Sequence, residues 1–137
     1  MKLILFLWQL PQNILGAIFY LYFKLSEKIT EKESYKGINV FWVKDNTFSG
    51  VSLGTFIFIN VKFQSDDRNK KHEYGHCIQS KWTGPLYLII IGIPSYFRFS
   101  YDVHILSKTK SSYYRYKWYY SGYPEKSADK LGEVKRF

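Results

Sequence analysis

Lys71-His72-Glu73-Tyr74-Gly75-His76-Cys77-Ile78-Gln79-Ser80 is the stretch from which the rest of the chain is read. It holds the pattern His-Glu-x-x-His, with two of the chain's three histidines. On a helix, His72 and His76 fall on one face about a turn apart. Two imidazoles so placed can close on one tetrahedral zinc ion. Glu73, beside the first histidine, is then placed to hold and deprotonate a water molecule that the zinc acidifies. Cys77 sits roughly 100° round the helix from His76, which makes it a core residue rather than a ligand. It is the chain's single cysteine, so no internal disulfide forms.

The flanks of this stretch define a helix over residues 68–82. Ser65-Asp66-Asp67 supplies an N-cap. Gly84-Pro85 supplies the stop, glycine as cap and proline beyond it. Gly75 costs this helix about 1 kcal/mol against alanine. It either admits a neighbouring segment closely or is an uncompensated weakness.

Upstream, Ile38–Val43 reads as a strand, followed by turn residues Lys44-Asp45-Asn46. Residues 51–63 are rich in β-branched and aromatic side chains and read as a second strand, bent or bulged near Gly54. Together they predict a small antiparallel sheet beside the motif helix, an α+β arrangement. Residues 26–36 alternate Glu and Lys and read as a solvated helix end or loop.

Two apolar blocks flank this centre. Residues 3–23 would just cross a bilayer as one helix, about 30 Å. However, Gln9, Pro11, Gln12 and Asn13 interrupt the middle. That leaves a membrane-inserted or in-plane anchor with Lys24 and Lys28 at the headgroups, or a core helix starting near Pro11. The anchor is the expected reading, because a single domain of 137 residues has little interior to cover so much apolar surface. Residues 85–99 form the second block, too short to span and broken at Pro94. Matched hydrophobicity places the two blocks side by side as one apolar surface.

Tyr113-Tyr114-Arg115-Tyr116-Lys117-Trp118-Tyr119-Tyr120 mixes aromatic and basic residues. Such a mixture suits helix packing, a membrane interface or stacking on single-stranded nucleic acid. Net charge is +9, which favours anionic partners. No zinc-finger spacing, RNA-binding signature or phosphate loop accompanies it, so nucleic acid is not the expected partner. A final short helix starts at Pro124 and is capped by Gly132, with Glu125 and Asp129 on one face.

His-Glu-x-x-His followed by a downstream helix bearing Glu-x-x-x-Asp resembles the gluzincin, or thermolysin-like, zinc metallopeptidases. The second half of the chain is also similar to short bacterial proteins with HEYGH…QS, GPLYL and EKxADKLG patterns. The gluzincin resemblance implies a zincin-like active-site helix preceded by a strand. It implies His72, His76 and Glu125 as zinc ligands, Glu73 as general base and Asp129 as the carboxylate behind one imidazole. Spacing alone leaves Asp129 as ligand and Glu125 outside as the alternative. His104, Tyr119, Tyr120 and Tyr123 are the candidate oxyanion donors. The expected function is a membrane-associated, zinc-dependent peptidase acting on a peptide or protein. The alternatives are a non-catalytic zinc protein, with the ion stapling a small membrane domain, and a basic binding protein with a chance motif.

Overall fold

The computed structural model describes residues 2–136. The chain is α+β, with a four-stranded sheet in the order β1-β2-β4-β3. Its strands are β1 (Ile29–Tyr35), β2 (Ile38–Val43), β3 (Gly50–Leu53) and β4 (Phe56–Asn60). The helices are α1 (Lys2–Trp8), α2 (Leu10–Leu25), α3 (Asp67–Thr83), α4 (Ile93–Tyr101), α5 (Ser107–Thr109), α6 (Ser112–Tyr120) and α7 (Glu125–Leu131).

The sheet corrects the antiparallel expectation. β1 pairs antiparallel with β2 and β3 with β4, but β2 and β4 run parallel, Val40 opposite Ile57 and Trp42 opposite Ile59. β4 enters between β2 and β3, which no local pattern specifies. Residues 51–63 are not one bulged strand. Gly54, at φ +67°, turns the chain between β3 and β4, and residues 61–63 form a 3₁₀ turn. The charged run expected as loop contains the edge strand β1. Its Glu and Lys residues face solvent or the sheet rim, the ordinary composition of an edge.

The central strands are buried on both faces, so apolar residues run on through them. Val40, Trp42, Ile57 and Ile59 pack with Cys77 of α3 on one face. Phe41, Val43, Phe58 and Leu53 pack with Phe23 of α2 on the other. Cys77 is thus a core residue, and burial pushes its thiol up to about 12.

Helix α3 starts at Asp66, whose carboxylate accepts from the Arg68 amide at 3.0 Å, and is capped by Gly84 at φ +55°. Gly75 has a definite purpose: a side chain there would run into the Ala128 carbonyl of α7. Gly132 makes the reciprocal approach to the Lys71 carbonyl, so α3 and α7 touch backbone to backbone.

Residues 84–109 are helical throughout, with π segments at Leu88–Gly92 and Asp102–Leu106 on either side of α4. Pro94, expected to break the block, lies in the first turn of α4. There the wider π turn precedes it, and the helix continues. α1 and α2 meet at 90° at Gln9. Among the described residues, no single helix is long and apolar enough to cross a membrane, although the bent pair α1–α2 has the length and composition together. The two apolar blocks do meet. Trp8 donates to the Lys81 carbonyl at 2.9 Å, Gln12 to the Gly84 carbonyl at 2.8 Å, and Leu88 packs against the same core cluster as Leu15 and Phe19.

Candidate metal centre

α3 and α7 bring one acceptor-rich cluster together in the interior. His72 Nε2 lies 2.8 Å and His76 Nε2 3.0 Å from the same atom, Glu125 Oε2. One ligand atom from each of the three residues falls within 4.8 Å of the others. All three residues are buried. The backbone contact at Gly75 makes this possible, because it brings the start of α7 within side-chain reach of α3.

The remaining ring nitrogens have partners that fix their roles. His72 Nδ1 donates to Asp129 Oδ1 at 2.7 Å. His76 Nδ1 lies 2.7 Å from Gln79 Oε1, and the Gln79 amide nitrogen is turned to donate to the Pro124 carbonyl at 3.2 Å. The Gln79 oxygen is therefore the acceptor, and His76 carries its proton on Nδ1. In both rings the Nε2 atom is the one left to face Glu125. Asp129 is held in turn by Arg136, whose Nε donates at 2.7 Å. Ser95 of α4 donates a short hydrogen bond to the other Glu125 oxygen. Of the two acidic residues on α7, Glu125 faces both histidines, while Asp129 stands behind one of them.

Burial opposes charge on His72, yet the Asp129 and Glu125 hydrogen bonds outweigh it and raise its pKa to about 9. His76 is also raised: burial pulls it down, and the Glu125 charge more than offsets that. Burial alone would raise Glu125 and Asp129. The histidines, and Arg136 at Asp129, hold both below the usual carboxylate range. Two imidazole lone pairs and a carboxylate converging on one buried point require a cation or shared protons between them. This donor set suits zinc, which takes imidazole nitrogen and carboxylate oxygen together.

Glu73 is the fourth member. It is buried, and its Oε2 has no hydrogen-bond partner among the described residues. Burial raises its pKa, with the two histidines working against that. Its Oε1 packs beside Gly50 of β3, where a Cβ would lie 2.8 Å away. Glu73, His76 and Glu125 all border a cavity of about 1190 Å³.

The four candidate oxyanion donors separate into two pairs. Tyr119 borders the same cavity and is hydrogen-bonded to Ser95. Burial and the nearby Glu125 push its phenol well above its ordinary value, so it keeps its proton. The Tyr120 ring packs edge-on against His72 at 5.1 Å, with the Arg136 guanidinium 3.5 Å over its face. The other two are corrected. Tyr123 is exposed and donates to the Ile90 carbonyl at 2.7 Å. His104 is exposed and borders a separate open groove with Arg98 and Trp118. The π segment carrying His104 turns it away from the cluster. Gln79, Ser95 and Arg136 complete the surroundings; Gln79 lies in the stretch that carries His-Glu-x-x-His, whereas Ser95 and Arg136 belong to no motif.

No family model, curated protein or solved structure matches this chain. Its chemistry is therefore read from the cluster itself.

Proposed function

We propose that the protein is a zinc-dependent hydrolase of the zincin type that cleaves peptide bonds while lying on a membrane surface. The observation that carries this reading is the arrangement of one cluster at the floor of one cavity. His72, His76 and Glu125 converge on a point, and beside them Glu73 offers a buried carboxylate oxygen with no partner. In this reading His72, His76 and Glu125 hold the ion, and α3 is a zincin-like active-site helix of the gluzincin pattern. Zinc so held supplies Lewis-acid polarisation of a carbonyl and acidifies water to near neutral pKa.

The chain's own residues do the rest. Glu73, unencumbered at Oε2, takes a proton from water and passes it to the leaving amine. Asp129 and Gln79 keep both imidazoles in the tautomer that presents Nε2. Ser95 holds Glu125 in place. Tyr119, kept protonated by its buried setting, is the donor best placed to face developing oxyanion charge. An ion serving only as a staple would need neither the free Glu73 oxygen nor a large cavity beside it.

The membrane part of the reading rests on exposed apolar side chains. Ile14, Ile18, Leu21, Tyr22 and Leu25 form one exposed stripe along α2. Ile89, Ile93, Tyr96 and Phe97 form another on the helical run 84–109. Exposed patches of this kind mark interaction surfaces. Gln12 and Asn13, on the opposite side of α2, are buried. α2 thus packs Leu15, Phe19 and Phe23 inward and presents a second apolar stripe outward, as a helix lying in a bilayer interface presents one.

The test is a fluorogenic peptide screen with zinc-loaded protein, repeated with Glu73→Gln. Hydrolysis by the wild type that vanishes in the variant is expected. Activity surviving Glu73→Gln at full rate would refute the assigned base.

A further inference from the structure

The cavity beside the cluster is unusual for its walls. At about 1190 Å³ it exceeds the ~300–1,000 Å³ typical of small-molecule sites. Its charged groups collect at two places. Glu73, His76, Glu125 and Tyr119 lie at the cluster, and the ion pair Lys28–Asp45, at 3.1 Å, borders it elsewhere. Between them the walls are aliphatic and aromatic: Leu15 and Phe19 from α2, Phe48 and Val51 near β3, Leu88 and Phe99 from the helical run opposite.

The rim is the second observation. Ile18 and Tyr22 of α2 and Ile93, Tyr96 and Phe97 of α4 border the cavity and are also exposed, from 49% for Ile93 to 66% for Tyr96 and Phe97. These residues belong to the two exposed apolar stripes. The stripes therefore flank the cavity mouth, and the walls between outside and Glu73 are mostly apolar. A polar chain entering here would lose its water and find few hydrogen-bond partners. An apolar segment already in a bilayer meets no such cost.

We propose that the substrate is an apolar peptide segment, rich in bulky aliphatic and aromatic side chains, which enters the cavity sideways between α2 and α4 from the membrane. The proposal rests on the peptidase reading for its peptide character and on the cavity walls for its apolar character. Several large side chains fit in the space at once, so selection is by a stretch of residues rather than one. The mouth between α2 and α4 sets which proteins are cut: those whose apolar segment lies in the same membrane.

The experiment measures binding, so that it does not depend on turnover. Full-length Glu73→Gln protein, zinc-loaded in detergent micelles, is titrated with two fluorescein-labelled decapeptides, one of Leu and Phe, the other of Ser and Asn. The apolar peptide should bind at least about tenfold more tightly, each lost apolar contact in a pocket being worth ~10-fold or more. Ile18→Asn and Ile93→Asn, at the rim, should each weaken it about tenfold. Ile14→Asn and Ile89→Asn, on the same stripes but off the cavity wall, should leave micelle binding of the peptide unchanged. Equal affinity for both peptides, or rim variants that behave like the off-wall pair, would overturn the proposal. So would a phospholipid that binds the cavity and displaces the peptide at stoichiometric amounts. If the apolar peptide binds selectively but zinc-loaded wild type cleaves no peptide, the hydrolase reading fails while the apolar site stands.

Discussion

Helices α2 and α3 both bury polar side chains, for opposite reasons. In α3, His72, Glu73, His76 and Gln79 are turned inward, and α7 supplies the carboxylates that meet the two histidines, Glu125 for both and Asp129 for His72. In α2, Gln12 and Asn13 are turned inward to serve the backbone around them. Gln12 donates to Ser80 Oγ and the Gly84 carbonyl, both at 2.8 Å, while Asn13 donates to the Phe6 carbonyl and accepts from the Thr55 amide. The α3 polar face makes a site. The α2 polar residues make a joint beside the inward apolar side chains Leu15, Phe19 and Phe23, and a second apolar stripe is left facing out. The contrast shows that buried polarity is not by itself a sign of chemistry. What distinguishes α3 is convergence: one atom each of His72, His76 and Glu125 lies within 4.8 Å of the others, with the Glu73 carboxylate beside them, whereas an unsatisfied buried oxygen occurs in both helices, Glu73 Oε2 in α3 and Gln12 Oε1 in α2, among the described residues.

Substitutions in the two helices should therefore fail in different ways. The largest effect belongs to Glu73→Gln. Peptide hydrolysis should fall by about 10²–10⁴-fold with zinc content unchanged, measured by initial rates and elemental analysis. Asp129→Asn removes the carboxylate behind His72 and should weaken zinc affinity about 10–100-fold, read by competition with a chromophoric chelator. Gln12→Leu, in the joint, should leave zinc content intact. It should destabilise the chain by about 1–3 kcal/mol in urea titrations, because the buried Gly84 carbonyl loses its donor.

A pH series sharpens the same division. With zinc removed by chelation, His72 gains a proton-linked stabilisation, since its pKa is raised from 6.5 to about 9. That contribution is complete below pH 6.5 and disappears as pH climbs through about 9. His76 is raised as well and acts in the same direction. Thermal melts of the chelated protein should therefore lose Tm over this window, whereas zinc-loaded protein should not, the ion replacing the shared protons. The smallest effect on stability belongs to Leu21→Ser on the outer stripe, within about 0.5 kcal/mol. The same variant should lower partitioning onto anionic vesicles in a flotation assay.

The part legible in the sequence is the part determined locally. Asp66, Gly84 and the 72/76 spacing define α3 almost to the residue, and Pro124 with Gly132 bracket α7. Glu125 and Asp129 are four apart on that helix, so a shared face follows, but which one meets both histidines is decided only by how α7 lies on α3. Ile38–Val43 stands out by its apolar content. The mixed pairing does not, because a parallel neighbour is chosen by the path of the whole chain. β1 hides behind Glu31, Lys32 and Glu33, which an edge strand tolerates and a solvated loop also contains. Pro94 reads as a stop, yet a π turn ahead of it removes the demand for its missing amide. Ser95 and Arg136 are single residues on different elements, and nothing in their neighbours marks them; Gln79 stands in the motif stretch, but its place behind His76 follows only from the fold. His104 attracts notice only because histidine is scarce in this chain.

The central claim is that His72, His76 and Glu125 hold one zinc ion. X-ray absorption at the zinc edge, on purified protein of measured zinc content, tests it most directly. One zinc per chain is expected, with two imidazole nitrogens at about 2.0–2.1 Å, carboxylate oxygen at ~2.0–2.2 Å and no sulfur. Glu125→Ala should lose an oxygen neighbour along with most of the affinity. A shell containing Cys77 sulfur at ~2.3 Å, or no stoichiometric zinc in the wild-type chain under conditions where it is folded, would contradict the claim.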